Sequence, residues 1–126
     1  MTPLEKWYDY IKAHDPKLLW ALLAEDAVFE SPVVHTPQRG RDITFKYLAS
    51  ALAVLNNASF RYTGEWRNET GAVLEFACEI DGITIIGVDI ISWNADGQIS
   101  HFKVMVRPLK AINALHQMMA AQLQKA

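Results

Sequence analysis

The chain has 126 residues, the size of one domain, and 51% of them are apolar, so it can bury a core without disulfides or metal. Twelve Lys and Arg against 14 Asp and Glu leave a net charge of −2, which argues against nucleic-acid or membrane partners held by clustered positive charge. A lone cysteine, Cys78, excludes an internal disulfide and fits a reducing, cytoplasmic setting, while no apolar run approaches the roughly 20 residues of a membrane span and MTPLEKWYDY has no signal-peptide pattern.

Leu4, Trp7, Tyr8 and Ile11 recur at helical spacing and predict a short first helix. Asp15-Pro16 reads as an N-cap followed by proline at the first helical position. Leu18, Leu19, Leu22 and Leu23 give that second helix its buried stripe, so the two helices form a hairpin. Residues 27–31 read as a short strand stopped by Pro32, and 32–39 as a loop. Gly40-Arg41-Asp42 opens a third helix, striped by Ile43, Tyr47, Leu48, Ala51 and Leu55 and ended by Asn56-Asn57.

The period then changes to two. Phe60, Tyr62, Gly64 and Trp66 alternate with polar residues, and Leu74, Phe76, Cys78 and Ile80 form the next alternating set. Asp81-Gly82 is a hairpin turn signal. Residues 83–93 are an almost continuous apolar strand, Ala95-Asp96-Gly97 turns again, and a last strand covers 98–107. Pro108 opens a C-terminal helix striped by Leu109, Ile112, Leu115, Met119 and Leu123. The order ααβα, ββββ, α is that of an α+β domain spanning 1–126.

The strand 83–93 carries the main candidate. Both of its alternating sets are apolar, so it is a central strand covered on both faces, and Asp89 is buried on either phase. A buried carboxylate must be paired, hydrogen-bonded or protonated. Asp89 is either a structural acid tied to an internal Arg, Tyr or Trp donor, or the acid–base group of a ligand pocket. Gly87, two residues earlier on the same face, leaves room for a close neighbour or a bend. Trp7, Trp20, Tyr47, Trp66, Phe76, Trp93 and Phe102 are individually core residues or collectively the wall of an apolar pocket, and His35 is either an exposed loop residue or a guard at its mouth. No two histidines have metal-site spacing with a third ligand in view, so no metal is expected. The absence of a G-x-S-x-G elbow, a phosphate-binding glycine loop and a dinucleotide fingerprint leaves no cofactor in view. Lys103 and Arg107, alternating with Phe102, Val104 and Val106, either reach Glu75 or Glu79 or face solvent or a second subunit.

The stretches LLAEDAVFESPV, GRDITFKYL and GVDIISWNADGQISHFKVMVRPL resemble the nuclear transport factor 2-like superfamily, closest to its SnoaL-like polyketide cyclase and ketosteroid isomerase branches. The resemblance spans the chain. It implies a cone-shaped α+β barrel, a curved and mostly antiparallel sheet wrapped around N-terminal helices with a C-terminal helix behind. In the isomerase branch the site uses a Tyr, a basic Asp and a second Asp. Those positions fall on Trp7, Ser31 and Asp89, so only the last is retained. The resemblance therefore implies a pocket around Asp89 and Ser31 for a lipophilic small molecule, with acid–base chemistry of isomerase, cyclase or hydratase type. A copy of the steroid isomerase mechanism is not expected, because a serine hydroxyl without a base is a poor proton acceptor. The alternatives are a noncatalytic lipophilic-ligand binder and an interaction module. Family members pair through the outer sheet face. Here Thr84, Ile86, Val88 and Ile90, with His101, Lys103, Met105 and Arg107 nearby, predict a homodimer.

Overall fold

In a computed structural model describing residues 1–125, four helices pack against one six-stranded sheet. Helix α1 (Pro3–Ala13) starts at a capping box in which the Thr2 hydroxyl accepts from the Glu5 N–H, and α2 (Pro16–Leu22) is capped by the Asp15 carboxylate. Strand β1 is Leu23–Glu30, β2 is Gln38–Arg39 and α3 is Arg41–Leu55. Strands β3 (Arg61–Arg67), β4 (Gly71–Ile80), β5 (Ile83–Trp93) and β6 (Ile99–Arg107) follow, and α4 (Leu109–Lys125) closes the described chain.

The strand order is β2-β1-β6-β5-β4-β3. Strand β1 runs parallel to β6 and every other pairing is antiparallel. The sheet is curved and unclosed, with β2 and β3 as its edges. The β4–β5 turn places Asp81 (φ 50°) and Gly82 (φ 77°) both in the left-handed region, as a two-residue hairpin requires. The expected element order holds, with two corrections. The first strand begins at Leu23 rather than 27, because Leu23 pairs with Ile99 and an irregularity then carries the chain to Val28 opposite His101. Leu18 lies outside the buried stripe of α2, which is Leu19 and Leu22. The second correction is β2, two residues within the stretch read as a loop, which pair with Val28 and Phe29.

The concave face holds the core. Trp7, Phe29, Phe76 and Phe102 are essentially inaccessible to solvent, together with Leu19, Leu23, Leu48, Leu74, Ile85, Ile91 and Ile99. Trp7 lies 4.9 Å from Phe102 between ring centroids, and Phe60 stacks on Phe76 at 5.4 Å. Among the described residues no helix is long and apolar enough to cross a membrane.

Candidate functional site

Asp89 lies in the middle of β5 on the concave face, between Leu74 of β4 and Val104 of β6. It is 5% exposed. Its Oδ2 accepts a hydrogen bond of 2.7 Å from the Tyr62 hydroxyl on β3, and that hydroxyl oxygen accepts one of 2.9 Å from the Trp7 indole N–H on α1. Three elements thus converge on one carboxyl group.

The direction of this chain is fixed by its first member. An indole N–H only donates, so Tyr62 is held as acceptor from Trp7 and passes its own hydrogen to Asp89. Oδ1 has no hydrogen bond among the described residues. When Asp89 is protonated, its proton therefore belongs on Oδ1. Burial, opposed by the bond from Tyr62, raises the carboxyl to about 7. Burial and the neighbouring Asp89 charge push the Tyr62 phenol well above its ordinary range, so it stays a neutral donor.

Asp89 opens onto a cavity lined by Phe29 and Ser31–Val33 from β1 and the following loop, Leu48, Ala51, Leu52 and Leu55 from α3, Phe102 and Val104 from β6, and Leu115 and Met119 from α4. Its volume is about 20 Å³, enough for a single water rather than a drug-sized ligand, whose pockets run to about 300–1,000 Å³. Asp89 is the one ionisable side chain in this lining. The Ser31 Oγ accepts from the Val33 N–H at 3.1 Å, which leaves its own hydrogen free to donate.

The proposed pocket residues divide. Ser31 and Phe102 line the Asp89 cavity, and Trp7 is tied to Asp89 through Tyr62. Gly87 and Phe76 lie outside that lining and oppose each other two residues along β5 and β4 from the Asp89–Leu74 pair. A Cβ on Gly87 would sit 2.5 Å from Phe76 Cζ and 2.6 Å from the Met105 carbonyl oxygen, so the glycine exists for close packing. Tyr47 is one step back, packed on Phe29 at 6.3 Å. Trp20 is on the surface, 38% exposed, with the Arg41 guanidinium 4.2 Å from its ring, because α2 turns the adjacent Leu19 inward. Trp93 lies at the far end of the sheet, beyond an irregularity in the β5–β6 register, and donates to the Glu69 carbonyl. His35 is exposed and lines a separate open groove of about 490 Å³ between the 31–35 loop and β6.

Trp66 is on the opposite face, 61% exposed. The β3–β4 register shifts between Tyr62, opposite Phe76, and Gly64, opposite Glu75. That bulge turns Gly64 and Trp66 outward while Tyr62 stays in, so the uninterrupted period-two reading of 60–66 fails there. Lys103 lies 3.6 Å from Glu30, not near Glu75 or Glu79. Glu79 instead pairs with Arg61 at 3.7 Å. Glu30 is also hydrogen-bonded by His101, which holds its carboxyl below the usual range. Among the described residues no three His, Cys, Asp or Glu side chains gather as metal ligands.

Sequence reasoning missed Tyr62 as the partner of Asp89, and the aliphatic wall of α3 and α4. The available signal was the buried acid's need for a donor, which named Tyr as one type without naming its position.

A SnoaL-like domain model matches residues 4–102. A steroid delta-isomerase from Pseudomonas aeruginosa is 33% identical, covering 98% of this chain and 90% of its own, with a TM-score of 0.91. An uncharacterized protein conserved in bacteria, of cystatin-like fold, from Silicibacter pomeroyi is 32% identical over 95% of this chain and 84% of its own, with a TM-score of 0.87. An NTF2-like protein of unknown function from Mesorhizobium loti shares the fold at 22% identity, over 84% of this chain and 88% of its own, with a TM-score of 0.71. Among curated proteins none matches the sequence. The chain belongs to the SnoaL-like domain family, on the NTF2-like fold.

Proposed function

We propose that this protein binds a lipophilic, carbonyl-bearing small molecule at Asp89 and acts on it by acid–base chemistry of isomerase, cyclase or hydratase type. The observation that carries this reading is a single near-neutral carboxyl in an otherwise apolar cavity, with Tyr62 bound to one oxygen and the other left free. Protonated on Oδ1, Asp89 donates to a carbonyl oxygen and draws charge from the adjacent carbon skeleton. A group titrating near the working pH both gives and recovers a proton readily. Ser31 supplies a second donor.

The name carried by the Pseudomonas aeruginosa relative supports isomerisation as the first chemistry to test. The second carboxylate implied for a steroid isomerase is replaced by Ser31, however, so one carboxyl carries all proton transfer here. Binding requires the cavity to enlarge, and Leu115 and Met119 of α4 with the Ser31–Val33 segment are the parts of its wall outside the sheet and α3.

The test is a panel of cyclic enones and polyketide-like ketones, followed by ligand-induced thermal stabilisation and by turnover. Stabilisation of the wild type that is constant below pH 7, falls about tenfold in affinity per unit above it, and is lost with turnover in Asp89→Asn supports the reading. Equal binding to both proteins without turnover leaves a noncatalytic binder of the same ligands. No stabilisation by any member refutes both.

Pairing of two copies through the convex face is part of the proposal. Ile86, Val88 and Ile90 face outward between Val73 and the half-exposed Met105, with Trp66 beside them. Sedimentation at micromolar concentration giving only monomer refutes it.

A further inference from the structure

The ionised form of the same cavity has a chemistry of its own. Once Asp89 loses its proton, a negative charge lies in an apolar chamber whose lining contains no cationic side chain. The bases of β6 point away from it, and Lys103 is already engaged by Glu30 on the outer face. Tyr62 donates to Oδ2, which leaves Oδ1 as an acceptor directed at whatever occupies the cavity. Two rings of the lining, Phe29 and Phe102, pack on each other 6.2 Å apart between centroids at 37° and border the same cavity as the carboxylate. Carboxylate, aromatic surface and aliphatic wall together are the features that recognise a positive charge dressed in alkyl groups.

We propose that the Asp89 cavity also binds a small lipophilic ammonium ion, paired with the Asp89 carboxylate and resting against Phe29 and Phe102. The inference rests on the reading of this cavity as the ligand site, and adds a second ligand class to it. An alkylated ammonium is favoured over a metal ion because the cavity has one charged oxygen donor pair and no further ligand set, whereas its walls match methyl groups. It is favoured over a primary amine because the walls offer few acceptors for three N–H groups. A cavity of about 20 Å³ holds one water, so seating the cation requires it to enlarge as for the carbonyl ligand, and the flexible Met119 side chain is the part of the wall that yields most easily.

Proton and cation then compete for one carboxyl. Its surroundings contain little else that titrates. From β3 Tyr62 donates to it, and behind Tyr62 the Tyr8 hydroxyl of α1 donates to Glu65 of β3. Burial pushes both phenols up, so they stay neutral. The residues that α3, β6 and α4 contribute to the lining are all uncharged. Cation affinity must therefore rise with pH as Asp89 ionises, the opposite of a carbonyl ligand that accepts a proton from it.

The probe is choline, whose quaternary nitrogen has no proton to lose, against its neutral isostere 3,3-dimethylbutan-1-ol. Both are titrated into the full chain by NMR between pH 5 and pH 8. The expected result is choline affinity rising about tenfold per unit to pH 7 and levelling above it, at least tenfold over the isostere at pH 8. Asp89→Asn should reduce choline to the level of the isostere. Equal binding of the two at pH 8, choline affinity indifferent to pH, or no saturable choline binding overturns the proposal. If ketone binding survives any of these results, the carbonyl reading stands and the cation site alone is refuted. If neither class binds, both fall.

Discussion

The two faces of the sheet are built from alternate residues of the same strands, yet they treat charge in opposite ways. On the convex face Lys103 and His101 meet Glu30, and Arg61 meets Glu79, with side chains about 30–55% exposed. There water screens each charge and replaces any partner that is lost. On the concave face one carboxyl, Asp89, is 5% exposed and has one hydrogen-bonding partner among the described residues, the neutral Tyr62. Its chemistry is set by burial rather than by a counter-ion. The lesson is that the protonation of an acid on this sheet is set by what surrounds it, since the strand positions themselves differ by one residue.

That contrast can be broken most forcefully by removing the buried acid. Below about pH 4 the Asp89 carboxyl is protonated in the folded and the unfolded chain alike. As pH rises towards 7 the unfolded chain releases this proton first, because the folded value is raised to about 7. Stability is therefore lost with rising pH, by on the order of 4 kcal/mol in all, and the loss is complete above pH 7. Asp89→Asn abolishes that dependence, so urea unfolding should show the variant gaining on the wild type between pH 4 and pH 8. A gap constant over this range would mean that Asp89 titrates like a surface acid.

Removing the donor is the next largest change. Tyr62→Phe leaves the Trp7 N–H and Asp89 Oδ2 unpartnered inside the protein, with an expected loss of about 3 kcal/mol in chemical unfolding. Because the Tyr62 hydrogen bond lowers the Asp89 value, the same variant should titrate higher than the wild type. The convex face supplies the smallest effect. Arg61→Gln, at the exposed 3.7 Å pair with Glu79, should change stability by less than about 0.5 kcal/mol.

Asp89 was legible in the sequence because both alternating sets of 83–93 are apolar, so no choice of phase could expose it. Gly87 was legible for the same reason. The helices and hairpins followed from their caps, turns and stripes. Three things were not legible. Trp7, Tyr62 and Asp89 are 55 and 27 residues apart, and their contact is made by sheet curvature bringing an edge strand against α1. The bulge beyond Tyr62 is marked in the sequence by Gly64 alone, and a lone strand glycine signals an irregularity without saying that Trp66 then faces outward. The wall of the cavity is also more aliphatic than aromatic, because Leu48, Leu55, Leu115 and Met119 belong to helix stripes that look the same whether they fill a core or border a void.

Asp89 is a buried carboxyl poised between its two protonation states near neutral pH. Carbon-13 NMR of the aspartate side-chain carboxyl groups, with Asp89 assigned by its absence in Asp89→Asn, measures this directly. The expected midpoint is about 7. A midpoint near the ordinary aspartate value of about 4 would mean that burial does not hold Asp89 near neutrality.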